Sequence, residues 1–243
     1  MVDRLRDELV ELDAELDENE PRLATAIEAV QLAPQLLGGD EARRYLMLFT
    51  SPAESRGIAG FVGNYAELTI DNGTIEVTDF GRRSELDAAA LANEAECTGC
   101  SQELLDRYGP LGLSSGPGGV AGPSVWTNIT LPAHFPYVGE PAQILYPQSG
   151  GRQIDGVMSL DPYVVQALMQ YTGPIEVDDL GVTVSPGSAA DFLLREQYLL
   201  AGDDGNEDRI DALETLGQEA IERLLAGALS IPSELAADMG PLV

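Results

Sequence analysis

The chain has 243 residues, 44% of them apolar, and a mean hydropathy of −0.04, enough for one large core or two small ones and short of any membrane-spanning run. Its 41 acidic and 13 basic residues give a formal net charge of −28, which opposes binding to nucleic acid or to anionic lipid and argues against a nucleic-acid partner. All 13 basic residues are Arg, so every positive charge is permanent and suited to gripping an oxyanion bidentately.

Leu5, Leu9, Leu12 and Leu16 recur at helical spacing with acids between them. After Pro21 the pattern continues through Leu23, Ile27 and Val30, which predicts an N-terminal helical arm or helical hairpin over residues 1–37. Met1–Glu20 is charged and has no apolar signal-peptide core. Either the protein stays in the cytoplasm or the chain follows a removed targeting segment.

Gly38-Gly39 closes the arm and opens an α/β domain predicted over residues 38–230, followed by a C-terminal tail over 231–243. Strands are predicted at Tyr45–Thr50, Gly60–Ile70 and Thr74–Phe80, the last two joined antiparallel by Asp71-Asn72-Gly73, a tight turn that tolerates positive φ. The turn after the first strand carries Glu54 and Arg56. Strand ends are where ligands gather in open α/β sheets, and a guanidinium there suits phosphate or carboxylate, although a solvated ion pair would leave the same trace.

From Leu86 the pattern turns helical and Ala-rich, and Cys97 and Cys100 then form a C-x-x-C loop. Two cysteines with no further partners fit a local disulfide in an oxidising compartment better than a redox centre or a zinc site, for which only His134 would remain as a nitrogen ligand. That lone His also leaves little room for a hydrolytic triad. A short helix at Glu103–Tyr108 leads into GPLGLSSGPGGVAGPS, read as a lid or a passive insertion. A loop and helix over His134–Leu145, a buried strand at Ile154–Leu160 and a helix at Tyr163–Tyr171 with Asp161 as its N-cap come next. A hairpin at Ile175–Val177 and Val182–Val184 and helices near Ser188–Leu200 and Arg209–Leu225 complete a domain with a mixed, mostly antiparallel central sheet flanked by helices.

The run LLGGDEARRYLMLFTSPAESRGIAGFVGNYAELTIDNGTI, followed in order by FGRRSELD, LLDRYGP, WTNITLPAHFP, YPQSGGRQIDGVMSLDPYVVQALMQYTGPIEV and DFLLREQY, resembles the domain of unknown function 4012 family over Gln31–Gly227. That family consists largely of envelope-associated proteins of actinobacteria and related bacteria. The resemblance implies an extracytoplasmic, cell-envelope location and a membrane anchor preceding the region present here.

The order of elements is also distantly similar to that of the LytR-CpsA-Psr glycopolymer ligases, phosphotransferases that move a glycan from a polyprenyl pyrophosphate lipid to the cell wall. That resemblance implies Glu54, Arg56 and Arg83 as catalytic residues and Arg44, Arg82, Asn128, Arg195 and Arg209 as ligand contacts. It further implies Glu54, Glu85 and Asp87 as oxygen ligands to Mg²⁺. The sequence departs from those ligases in carrying Glu at 54 where they have Asp, and in placing Ser84 between Arg83 and Glu85. The implied partner is a polyprenyl-phosphate lipid or an envelope glycan. A non-catalytic module of the same fold that binds lipid, glycan or protein stands beside the enzyme reading, and an adhesive or structural module would apply if the arginines scatter.

Overall fold

The structure, a computed structural model, describes residues 31–58, 60–113, 122–200, 215–223 and 225. The predicted arm therefore lies outside the described residues except for residues 31–37, of which 31–36 are helical. The centre of the Gly/Pro/Ser-rich loop, Arg209 and the tail over 231–243 also lie outside them. Among the described residues no helix is long and apolar enough to cross a membrane.

The chain divides into two compact units. In the smaller one, residues 31–43 and 70–74, the amides of Asn72 and Gly73 donate to the carbonyls of Gly38 and Leu37 at 2.9 and 2.8 Å. Gly38 is required there. It has φ +71, and a Cβ would sit 2.2 Å from the Ile70 carbonyl oxygen.

The larger unit holds the sheet and its helices. β1 (Arg43–Ser51), β2 (Phe61–Asp71), β3 (Thr74–Arg82) and β4 (Gly156–Leu160) form a mixed, mostly antiparallel sheet in the order β3-β2-β1-β4. β1 and β4 run parallel, with Tyr45 opposite Gly156 and Phe49 opposite Leu160. Such a pair needs a long crossover, and the helices α1 (Arg83–Ala92), α2 (Gln102–Tyr108) and α3 (Pro136–Leu145) lie within it. α4 (Pro162–Thr172) follows β4, and Asp161 caps it by accepting from the amides of Tyr163 and Val164 at 2.9 and 3.0 Å.

Alternation along β1 explains the layers. Leu46 and Leu48 point into one cluster with Tyr65, Leu86, Ala90, Trp126, Val138, Leu145 and Tyr146, whereas Met47 and Phe49 point into another with Ala66, Leu68, Val164, Leu168 and Ile221. The sheet is thus covered on both faces at β1, which reads as a near-continuous apolar run, whereas the edge strand β3 alternates apolar and polar residues. Trp126, 0% exposed, meets Tyr146 edge to face at 6.2 Å, a geometry worth roughly 0.5–1.5 kcal/mol beyond burial.

A third cluster joins Val165 and Met169 of α4 to the hairpin β5 (Ile175–Val177) and β6 (Val182–Val184), which has the predicted bounds. Phe192 and Leu193 complete it from a helix that begins at Ala189–Asp191, widens into a π-helical stretch over Phe192–Glu196 and continues through Gln197–Leu200. Cys97 and Cys100 are joined as a disulfide. The backbone beside it is held by Gln148, whose side-chain amide exchanges two 2.9 Å hydrogen bonds with Glu96.

Candidate functional site

The topology brings three chain segments to one end of the sheet. β3 and β1 both run opposite to β2, so the carboxyl ends of β1, β3 and β4 and the start of β2 share that end. Arg56 lies in the turn after β1, Phe61 opens β2, and Arg83 begins α1 directly after β3.

The two arginines meet on one ring. The guanidinium carbon of Arg56 lies 5.4 Å from the centroid of Phe61, and that of Arg83 lies 5.1 Å from it. Both contacts are cation–π attractions worth about 0.5–1 kcal/mol each at a partly exposed position. Arg56 Nη1 donates to its neighbour, the Ser55 carbonyl, at 2.9 Å. The Nε–H groups of both arginines are buried and have no acceptor. A desolvated donor left unmade costs about 1–3 kcal/mol.

Arg83 is held from behind. Its Nη1 donates to Asp87 Oδ2 and to Thr127 Oγ1, each at 2.5 Å, and Thr127 in turn donates to Asp87 Oδ2 at 2.7 Å. The other carboxylate oxygen, Asp87 Oδ1, accepts from the Trp126 amide at 2.7 Å. Arg83 and Asp87 are four residues apart on α1, the spacing that puts two side chains on one face.

Arg83 occupies the first position of α1, where the helix dipole is positive and a cation is unfavourable. Glu85 offsets this by accepting from the Arg82 amide at 3.3 Å, an N-terminal capping contact. A charge placed against the local rule is common at functional positions, and an anion at this corner would be favoured by guanidinium groups and dipole together.

The turn carrying Arg56 is fixed by close backbone contact. Gly60 has φ +96, and a Cβ there would lie 2.0 Å from the Ser51 carbonyl oxygen; a Cβ on Gly57 would lie 2.3 Å from that of Leu131. The Ile58 amide donates to the Thr130 carbonyl at 3.1 Å, and the Thr130 hydroxyl donates to the Gly60 carbonyl at 2.8 Å. Gly63, by contrast, faces open space.

The remaining predicted residues have other placements. Glu54 is exposed on the turn. Arg44 uses its backbone amide to bond Asp155 at 2.8 Å, while its own Nε is buried without an acceptor. Asn128, expected as a ligand contact, instead donates from Nδ2 to the Leu111 carbonyl at 2.5 Å and closes a loop. Arg195 is exposed on the helix whose buried side chains fill the third core.

Among the described residues no group of three His, Cys, Asp or Glu side chains is arranged to hold a metal ion. Of the carboxylates expected to bind Mg²⁺, Asp87 has both oxygens engaged with Arg83, Thr127 and Trp126, Glu85 accepts from the Arg82 amide through Oε2, and Glu54 is exposed. Phe61 and Thr127 had no part in the sequence reading, yet the signals were there: an aromatic directly after a conformationally special glycine, and a hydroxyl inside the WTNIT run beside the Asn that drew attention instead.

A second polar cluster sits on the sheet itself. Glu67, 1% exposed, accepts from Arg152 Nη2 at 2.6 Å, from Thr78 Oγ1 at 3.0 Å and from the Arg152 amide at 3.3 Å. The Tyr65 hydroxyl donates to Asp79 Oδ2 at 3.1 Å. Burial first, then neighbouring carboxylates, raises both the Tyr65 and Tyr146 phenols well above their ordinary range.

No curated protein and no solved structure matches this chain. A sequence-family profile does match, over residues 40–198, a shorter span than the resemblance traced by motif. The chain therefore belongs to the family described as protein of unknown function (DUF4012).

Proposed function

We propose that this domain is an extracytoplasmic cell-envelope binding module that takes the pyrophosphate head of a polyprenyl-linked glycan at the corner formed by Arg56, Phe61 and Arg83. The observation that carries the reading is the pair of buried, acceptor-less Nε–H groups on two arginines stacked on one ring. Phosphate oxygens accepting from those N–H groups make charge-assisted hydrogen bonds, each worth about 1.5–3 kcal/mol, and relieve the unmet donors. The Phe61 ring gives the first carbons of a lipid chain an apolar neighbour.

The envelope location is supported by the disulfide, which suits an oxidising compartment, and by the family resemblance. Binding is favoured over glycan transfer because Asp87 and Glu85, two of the three carboxylates implied as metal ligands, serve Arg83 and the α1 N-terminus. In this arrangement Asp87 is a structural counter-ion rather than a metal ligand.

Native mass spectrometry of protein purified from a bacterial host, then titrated with a polyprenyl pyrophosphate with and without Mg²⁺, tests the reading. Metal-independent binding is expected. Binding that requires Mg²⁺ together with turnover would restore the ligase reading, and indifference to the lipid would favour an interaction module.

A further inference from the structure

The segment from Trp126 to Leu131 touches the mounts of both arginines. Thr127 Oγ1 accepts from Arg83 Nη1 and donates to Asp87 Oδ2. Three residues on, Thr130 holds the Arg56 turn through its hydroxyl to Gly60 and its carbonyl to Ile58, and the Leu131 carbonyl crowds Gly57. The segment is itself anchored: the Trp126 amide bonds Asp87, the Trp126 indole N–H donates to Ser149 Oγ at 2.8 Å, and Trp126, Ile129 and Thr130 are each 0% exposed. Arg56 and Arg83 come from separate strand ends, so their spacing is set by whatever both are fastened to.

We infer that this segment is the common mount that sets the distance between the two guanidinium groups, with Thr127 as the positioning residue for Arg83. Thr127 is suited to this because a hydroxyl both accepts and donates. Bonded to Arg83 Nη1 and to Asp87, it fixes the guanidinium plane from one edge and leaves Nε–H unclaimed beside Phe61. An arginine held only by an i,i+4 carboxylate keeps more rotamer freedom, and that freedom is lost again when an anion binds. The inference rests on the anion-binding reading given above.

Calorimetric titration with inorganic pyrophosphate tests it in wild type, Thr127→Val, Thr127→Ser and Arg56→Ala. Thr127→Val keeps the shape and removes both hydrogen bonds; its affinity is expected to fall roughly tenfold, the loss of about one charged hydrogen bond. Thr127→Ser is expected to restore it. An NMR signal from Arg83 Nε–H that shifts on adding pyrophosphate in wild type and Thr127→Ser, and broadens in Thr127→Val, would mark positioning rather than general stability. Wild-type affinity in Thr127→Val, or no rescue by Ser in a folded protein, overturns the positioning role alone if Arg56→Ala has lost binding. Wild-type affinity in Arg56→Ala overturns the site and the inference with it. If Thr127→Val does not fold, Thr127→Ala is read by the same criteria.

Discussion

Arg56 and Arg83 stack on the same Phe61 ring, with their guanidinium carbons 5.4 and 5.1 Å from its centroid. Two like charges share one aromatic because the attraction of each to the ring and the carboxylate behind Arg83 offset their mutual repulsion. Phe61→Leu, which keeps bulk and removes the ring quadrupole, is expected to cost about 1–2 kcal/mol for the two contacts together. Urea denaturation measures it, and the same variant is expected to bind pyrophosphate less tightly.

Asp87 satisfies three donors at once, so its loss strands all of them. Asp87→Ala leaves Arg83 without its counter-ion and the Trp126 amide without an acceptor, and is expected to destabilise by about 3 kcal/mol. Asp87→Asn, which can still accept from the amide, is expected to cost roughly half as much. Thermal unfolding of the two variants side by side reads the difference.

Glu67 and Arg152 are unequally buried, with side-chain exposures of 1% and 50%. Removing the arginine leaves a buried carboxylate with Thr78 as its remaining side-chain donor, whereas Glu67→Gln removes the charge that needed compensation. Arg152→Ala is therefore expected to destabilise more than Glu67→Gln, by about 1–2 kcal/mol once the solvent exposure of Arg152 is allowed for. Equal losses by denaturant titration would contradict the assignment of Glu67 as the buried charge that must be paired.

Gly60 and Gly63 are three residues apart and structurally opposite. Gly60→Ala forces a Cβ onto the Ser51 carbonyl at positive φ, and is expected to cost about 2 kcal/mol or more and to displace the Arg56 turn. Gly63→Ala meets nothing within 4 Å and is expected to be nearly neutral in both stability and pyrophosphate affinity.

The phenols of Tyr65 and Tyr146 are raised in the folded protein by burial and by nearby carboxylates. Because the folded state disfavours their ionisation, the stability they contribute is complete below the unfolded value of about 10 and falls as the pH rises past it. Stability measured across that alkaline range is expected to drop in wild type and to drop less in a Tyr65→Phe, Tyr146→Phe double variant.

The sheet was readable in outline because β1 is an apolar run, β3 alternates apolar and polar residues, and the Asn72-Gly73 turn and Gly60 set the strands off; the β5–β6 hairpin was read to the residue. The π-helical stretch over Phe192–Glu196 left no trace in the periodicity, since a single widened turn keeps the apolar face that marks a helix. At the candidate site, strand-end logic singled out Arg56, and the resemblance to the ligases singled out Arg83. What it missed was long-range pairing: Asp87 reads equally as a metal ligand or a counter-ion until Thr127 and Trp126 are seen against it. Asn128, singled out as a ligand contact, bonds the Leu111 carbonyl, and in a sequence an amide in a loop looks the same whether it faces a ligand or closes a turn.

The central claim is that Arg56 and Arg83 jointly bind a pyrophosphate. Calorimetric titration of farnesyl pyrophosphate into wild type, Arg56→Ala, Arg83→Ala and the exposed Arg195→Ala tests it most directly. Binding is expected in wild type and Arg195→Ala, with a loss of at least tenfold in each of the other two. Equal affinity across all four proteins would contradict it.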